Sequence, residues 1–284
     1  MKISKFIRLK QEEAVKEGKE EAASILLLEH VLSVNPSELY LKMDCEMPKD
    51  LEDKYNKLYS DYLYKNKPIQ HIIGYSTFYG YDFIVNEDVL IPRRETEELV
   101  ENILYRYDDY FKGKKVDVCD LATGSGNIAI TLALEEPNMN VIATDISAKA
   151  LDTARRNNEK LGANVKFIEG DMLEPVKDMK FDIFVSNPPY IPNDELVDPL
   201  VKDNEPNIAL FGGSDGMKFY DIILRGVGKL LKDKAIIAFE HGFDKKEEMI
   251  ELSHKYFPNS KVEVLKDLEG KDRMTFIYVG DFKW

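Results

Sequence analysis

The stretch Val116-Asp117-Val118-Cys119-Asp120-Leu121-Ala122-Thr123-Gly124-Ser125-Gly126-Asn127-Ile128-Ala129-Ile130 decides how the rest of the chain is read. Val116 to Leu121 has the apolar character of a short buried strand, Ala122 to Gly126 forms a tight loop, and Asn127 to Leu134 begins a helix. Gly124 and Gly126 permit positive φ and close backbone approach, while the helix N-terminus offers unpaired N–H groups, so the pattern is a nucleotide-binding βα turn. The spacing Gly124-x-Gly126-x-x-Ala129 also satisfies a relaxed dinucleotide fingerprint, which alone is unspecific. Asp120 argues against that reading. A carboxylate at the strand end repels a pyrophosphate but can receive the ammonium of an amino acid, a group that S-adenosylmethionine carries.

Working outward, the strand Asn140 to Thr144 ends at Asp145, placed to accept hydrogen bonds from both hydroxyls of a ribose. The strand Val165 to Ile168 ends in Glu169-Gly170-Asp171-Met172, which puts a carboxylate and an apolar side chain where an adenine would lie. Each acid taken singly is explained as a solvated strand-end carboxylate or a helix cap. Their succession at strand ends marks a ligand edge, because open α/β sheets bind ligands beyond the carboxyl ends of their strands.

The apolar run Phe181 to Val185 leads into Asn187-Pro188-Pro189-Tyr190, and these residues suit chemistry on a planar nitrogen. An amide or exocyclic amine nitrogen is a poor nucleophile, since its lone pair is delocalised, so a catalyst must hold both N–H hydrogens with adjacent acceptors. Asn187 supplies a side-chain oxygen. Neither proline has an N–H to engage a neighbouring carbonyl, and each keeps the preceding residue extended, which frees the Pro188 carbonyl. Tyr190 can stack on the planar group. The alternative is an ordinary strand-terminating Pro-Pro turn with a tyrosine packed behind it.

Over nearly its whole length the chain resembles the protein-(glutamine-N5) methyltransferases that modify peptide chain release factors, the HemK or PrmC family. The resemblance is carried by Lys67-Pro68-Ile69-Gln70-His71-Ile72-Ile73-Gly74, Phe78-Tyr79-Gly80, Leu90-Ile91-Pro92-Arg93-Arg94-Glu95-Thr96-Glu97 and Asp120 to Gly126. It continues in Phe181-Asp182, Ser186 to Tyr190, Glu205-Pro206, Ala209-Leu210-Phe211-Gly212-Gly213 and Asp215-Gly216. The motif at Asn187 is shared with adenine amino-methyltransferases, whereas the block from Leu90 to Glu97 is far more specific. Two residues depart from the family pattern: Ala122 stands for the usual glycine, and Arg94 for a second proline. Alanine fits that loop position if its φ is negative, and Arg94 reads as a solvated side chain.

The resemblance implies a Rossmann-like class I S-adenosylmethionine-dependent methyltransferase domain, α/β, with a mostly parallel sheet and a C-terminal antiparallel strand pair, preceded by a small helical bundle. It implies a cofactor held by Ala122, Thr123, Gly124, Ser125, Gly126, Asp145, Asp171, Met172 and Asn187, and a substrate glutamine held by Asn187, Pro188, Pro189 and Tyr190. Asn187, Pro188 and Tyr190 are then the catalytic residues. They orient the amide nitrogen for direct in-line methyl transfer that needs no prior general base, because positioning and desolvation supply most of the acceleration. The resemblance also places Arg93, Thr96 and Glu97 along the same cavity, but they are left outside this set, Thr96 having helix capping as a competing role. The expected partner is a class I release factor, gripped around its Gly-Gly-Gln loop by the helical domain. The rival substrates are a ribosomal-protein glutamine, in a sister enzyme differing in its N-terminal region, and a flipped adenine of DNA or RNA. A non-enzymatic cofactor-binding module leaves the acceptor motif unexplained.

Composition is consistent with this. With 284 residues, 44% of them apolar, the chain is large enough for one sizeable domain and a smaller one. Its net charge of −13 opposes attraction to nucleic-acid phosphates, so no direct nucleic-acid binding is expected. The two cysteines, Cys45 and Cys119, lack metal-ligand spacing, and no metal site is expected. The most apolar early run, Ala22 to Leu28, is cut short by Glu29 and His30, which fits neither a signal peptide nor a membrane span. A cytoplasmic location and a monomeric state are expected. The expected domains are a helical substrate-recognition domain over 1–75, a β-hairpin linker over 76–92 and the methyltransferase domain over 93–284. In the first, Ala22, Ile25, Leu28 and Leu32 recur at helical spacing, Pro36-Ser37 opens a helix, and Leu51 to Tyr64 has one apolar face. Val262 to Leu265 and Met274 to Val279 are expected to close the sheet as the antiparallel pair.

Overall fold

A computed structural model describes residues 1–282. The chain divides into two compact units, Met1–Tyr75 with Val197–Asn204, and Ser76–Leu196 with Glu205–Trp284.

The first unit is built from α1 (Ile3–Lys16), α2 (Glu21–Leu32), α3 (Pro36–Leu41), α4 (Lys49–Tyr64) and α5 (Ile69–Ile73). α3 starts where the sequence expects it, because Asn35 and Glu38 form a reciprocal capping box and Pro36 occupies the first turn. α4 presents Tyr55, Tyr59 and Tyr62 inward at helical spacing. α2 has the expected period but a different buried face: Ala23, Ser24, Leu27, Leu28 and Val31 are inside, while Ala22 is exposed and Ile25 and Leu32 are only partly covered. A helix this apolar carries little directional signal. The face is set by partners elsewhere in sequence, since Ser24 Oγ lies 3.0 Å from the Tyr59 hydroxyl and its carbonyl accepts from Tyr55 at 3.1 Å. The segment Val197–Asn204, with its single helical turn α9 (Pro199–Lys202), belongs to the same unit, and Asn204 Nδ2 donates to the Asn66 carbonyl at 2.8 Å.

The second unit opens with the hairpin β1 (Tyr75–Phe78) and β2 (Tyr81–Ile84), joined by Tyr79 and Gly80, both at positive φ. Such paired left-handed residues match the twist of a two-residue hairpin. The elements that follow are α6 (Arg94–Tyr110), β3 (Val116–Leu121), α7 (Asn127–Glu135), β4 (Met139–Asp145), α8 (Ala148–Leu161), β5 (Lys166–Glu169), β6 (Phe181–Ser186), α10 (Lys218–Val227), β7 (Leu231–Glu240), α11 (Lys246–Tyr256), β8 (Lys261–Lys266) and β9 (Asp272–Val279). The sheet order is β5-β4-β3-β6-β7-β9-β8, with β9 antiparallel to both neighbours and the other pairings parallel. The family expectation of a mostly parallel sheet with a C-terminal antiparallel pair is therefore realised.

The central strands are apolar throughout because they are covered on both faces. Val118, Ile183, Val185, Ile236 and Ala238 join α6 and α7 residues in one core, while Cys119, Leu121, Phe184, Ile237 and Phe239 join α10 and α11 residues in the other. What positions the site is register. Leu121 lies opposite both Thr144 and Ser186, and Ser186 lies opposite Phe239. Asp145, Ala122, Asn187 and Glu240 thus emerge side by side at the carboxyl edge, where strand order reverses about β3.

Candidate active site

The carboxyl edge opens into a cavity of about 350 Å³, within the usual range for a small-molecule site. Of the residues expected to hold the cofactor, Ala122, Thr123, Gly124, Ser125, Asp145, Asp171, Met172 and Asn187 line it. Gly126 does not. It is the left-handed N-cap of α7, and a side chain there would come within 2.9 Å of Ile130 Cδ1 and 3.2 Å of Ala154 Cβ, so this glycine serves helix packing.

The loop is braced from two strands. Thr123 N donates to Thr144 O at 2.9 Å, and Asp145 accepts from Gly124 N and Ser147 N, each at 2.9 Å. These bonds force Ala122 to φ +60, so the sequence expectation of a negative φ is corrected: the loop demands the left-handed region and alanine adopts it at a steric cost. Burial raises the Asp145 carboxyl above its ordinary range, opposed by those N–H donors. With four lone pairs facing three backbone N–H donors, the carboxylate keeps an acceptor for a ribose hydroxyl.

Asp120 also departs from expectation. It is fully buried, does not line the cavity, and spends Oδ2 on Thr123 Oγ1 at 2.6 Å and Ala129 N at 3.2 Å, while Oδ1 has no protein partner. Burial lifts its pKa to about 7. It holds the loop from beneath.

At the other end of the cavity, Asn187 and Pro189 face inward, whereas Pro188 is buried and Tyr190 lies outside the lining. Among the described residues, no backbone N–H donates to the Pro188 carbonyl. Asn187 Nδ2 donates to Thr96 Oγ1 at 3.4 Å, Thr96 Oγ1 donates to Glu240 Oε2 at 2.6 Å, and the Tyr190 hydroxyl reaches Glu240 Oε1 at 3.5 Å. Glu240 is 2% exposed. Burial raises its carboxyl, opposed by the Thr96 hydrogen bond and by Arg273. Behind the motif, Ile191 N donates to Leu210 O at 2.9 Å and Gly212 N to Ile191 O at 2.8 Å. A side chain on Gly212 would meet Pro189 O at 2.4 Å, which accounts for glycine in the Ala209 to Gly213 block.

Residues left outside the sequence-derived set complete the wall. Arg93 and Thr96 line the cavity, and Glu97 instead accepts from Tyr79 N at 2.8 Å, fixing the hairpin turn. Arg94 is exposed. Buried Glu205 accepts from Arg93 Nη2 at 2.5 Å and from Ile91 N at 2.9 Å, pinning the Leu90 to Arg93 segment along one side. Glu240 went unmarked, although Ala235 to Phe239 followed by an acid repeats the pattern of an apolar run ending in a polar side chain.

The donor set fits an adenosyl amino acid. A carboxylate at the end of β4 suits a ribose, Met172 and half-exposed Ile146 offer apolar faces to a base, and Asn187 stands across the cavity. Residues 96–204 match the family model described as Methyltransferase small domain, and residues 8–74 match the one described as PrmC N-terminal domain. A release factor glutamine methyltransferase of Bacillus cereus is 43% identical over 266 residues, spanning 91% of this chain and 93% of its own. One from Bacillus subtilis is 44% identical over 261 residues, spanning 90% of each. Among solved structures, a methyltransferase from Pyrococcus furiosus superposes with a TM-score of 0.52 at 19% identity, over 81% of this chain and 99% of that one, a likeness of fold. With relatives of this identity along most of its length, the chain belongs to the release factor glutamine methyltransferase family.

Proposed function

We propose that this protein transfers a methyl group from S-adenosylmethionine to the N5 side-chain amide nitrogen of the glutamine in the Gly-Gly-Gln loop of a class I peptide chain release factor. Family membership supports the activity, and one observation carries the site: Asn187 faces the cavity from the end of β6, next in line to the strand ends that hold the loop Ala122 to Gly126 and Asp145. When bound, S-adenosylmethionine supplies an electrophilic methyl carried on a sulfonium.

The chain's own residues orient and desolvate. Ala122 to Ser125, Asp145, Asp171 and Met172 bind the cofactor, while Gly126 keeps the loop seated on α7. The Asn187 side-chain oxygen and the Pro188 carbonyl accept the two hydrogens of the glutamine amide, fixing its nitrogen towards the methyl group. Tyr190 packs behind them and excludes water. A positioned acceptor pair of this kind contributes through geometry, which alone can account for many orders of magnitude in rate.

The match of residues 8–74 to the PrmC N-terminal domain supports a release factor over a ribosomal protein as substrate. The net charge of −13 disfavours a nucleic acid. We assign residues 1–75 to gripping the protein substrate, and the enzyme to the cytoplasm as a monomer; among the described residues no helix is long and apolar enough to cross a membrane.

The test is incubation of the purified protein with methyl-labelled S-adenosylmethionine and, separately, a bacterial release factor, its Gln-to-Ala variant in the Gly-Gly-Gln loop, ribosomal proteins and adenine-containing DNA. Label on the intact release factor alone is the expected result. Label on ribosomal protein or DNA replaces the substrate, and label nowhere removes the catalytic reading.

A further inference from the structure

The Asn187 amide can be rotated end for end at little steric cost, since its oxygen and nitrogen are nearly the same size. Only one of the two orientations offers an acceptor to the cavity. Resting on the functional reading above, we infer that Thr96 and Glu240 are positioning residues that fix this choice: a hydroxyl and a buried carboxylate hold Asn187 with Nδ2 turned away and Oδ1 presented to the substrate amide.

The inference follows from counting protons. A threonine hydroxyl has one hydrogen and two lone pairs. Thr96 commits its hydrogen to Glu240 Oε2 at 2.6 Å, so it meets Asn187, 3.4 Å away, with a lone pair. Only the N–H side of the amide can satisfy that lone pair. The flipped amide would set Oδ1 against the Thr96 oxygen, two acceptors facing each other. Because Thr96 and Glu240 are each 2% exposed, water has little room to relieve such a clash. The same carboxylate takes the Tyr190 hydroxyl on Oε1 at 3.5 Å, and the Glu240 carbonyl accepts from the buried Tyr220 hydroxyl at 2.7 Å, which anchors the strand end carrying it.

Nothing in the local chain requires Thr96 to be there for α6 itself. Arg93 is the N-cap and makes no side-chain capping bond, and Thr96 lies inside the helix with its hydroxyl directed to Glu240, 144 residues away in sequence. Glu240 is brought to Asn187 by register, since their preceding residues, Phe239 and Ser186, are paired on adjacent parallel strands. A chain of hydrogen bonds ending on a carboxylate also polarises each member, making the Asn187 oxygen a stronger acceptor.

The experiment compares Thr96→Val, Thr96→Ser and Glu240→Gln with the unaltered enzyme, measuring kcat for release-factor methylation and, by calorimetry, the Kd for S-adenosylmethionine. Valine keeps the shape of threonine and removes the hydroxyl; serine keeps the hydroxyl. Glutamine turns one carboxylate oxygen into a donor, so Thr96 and Tyr190 can no longer both donate to that side chain. Thr96→Val and Glu240→Gln are expected to lower kcat by about ten- to hundredfold, the scale of a modest misplacement of a reacting group, with Kd changed by no more than about twofold. Thr96→Ser is expected to remain within about threefold of the unaltered enzyme, since the hydrogen-bonding group is retained. Unchanged kcat in Thr96→Val and Glu240→Gln overturns the inference, as does a serine variant as slow as the valine one, or a cofactor affinity that falls in step with kcat. Should Thr96→Val not fold, judged by circular dichroism, Thr96→Ala, which also removes the hydroxyl, carries the same comparison. No methylation by the unaltered enzyme is a separate result, which removes the functional reading itself.

Discussion

The two ends of the cavity are built by opposite means. At the β3 and β4 end, the ligand wall is a contiguous loop, Ala122 to Ser125, whose backbone N–H groups donate to the Thr144 carbonyl and to the Asp145 carboxylate. At the β6 and β7 end, the working group is one side chain, Asn187, whose direction depends on Thr96 and Glu240, 91 residues before it and on the neighbouring strand. The first is expected to tolerate a change of side chain at Ala122, which makes none of these bonds. The second is expected to tolerate loss of a hydrogen-bonding group poorly, because each hydrogen bond in the chain sets the polarity of the next. In the function proposed above, a cofactor common to many enzymes is held by the generic end, and the reacting amide meets the specific one.

Removing Asn187 is the harshest test of that contrast. Asn187→Ala is expected to lower the rate of release-factor methylation by roughly 10²–10³-fold, the loss seen when one preorganised polar contact to a reacting group is deleted. Cofactor affinity is expected to fall by less than about tenfold, because the loop, Asp145 and the apolar wall remain. Single-turnover methylation and calorimetric cofactor binding measure the two separately. Comparable losses in both would show that the ends do not divide their labour in this way.

Beneath the generic end, Asp120 provides a pH-dependent test. Its carboxyl is raised from 3.8 to about 7 by burial, so the folded protein keeps a proton that the unfolded chain loses. Between those values the native state binds more protons, and stability falls as pH rises, the loss being complete above about pH 7. With each unit worth about 1.4 kcal/mol, the difference in unfolding free energy between the unaltered protein and Asp120→Asn is expected to drift by roughly 2–4 kcal/mol from pH 4 to pH 8, against the unaltered protein. Urea unfolding across that range reads the drift. Parallel curves for the two proteins would place the titrating group elsewhere.

The same contrast explains what was legible in the sequence. The βα turn and its contacts are local: Ala122 to Ser125 form one loop, and Asp145, Asp171 and Met172 stand at or just beyond the ends of β4 and β5, so spacing and strand-end position were enough to find them. The hairpin within 76–92 and the helix opened by Pro36-Ser37 were legible for the same reason. Glu240 and Glu205 were not singled out as site residues. An isolated acid after an apolar run is ordinarily a solvated strand end, and only the pairing of β6 with β7 turns Glu240 into a partner of Asn187. Asp120 was misread for a related reason, because sequence gives its place at the strand end but not whether its side chain points out to a ligand or under the loop. The inward face of α2 escaped as well, since a helix that is apolar nearly all round names no face until Tyr55 and Tyr59 are packed against it.

Ala122 offers the gentlest perturbation and the sharpest statement about the generic end. At φ +60 its methyl is held in the left-handed region, which costs an L-residue about 1–2 kcal/mol. Glycine relieves that cost, but its freer unfolded chain gives back about 0.4–1 kcal/mol. The balance favours Ala122→Gly by up to about 1 kcal/mol, a rise of a few degrees or less in Tm by scanning calorimetry for a unit of this size. Because the loop path is fixed by Thr123 N to Thr144 O and by Gly124 N to Asp145, neither of which uses the Ala122 side chain, cofactor affinity is expected to stay within about twofold of the unaltered enzyme. A destabilised glycine variant would mean that the methyl packs to advantage in this loop, and a large change in affinity would mean that the wall is read by side chain after all.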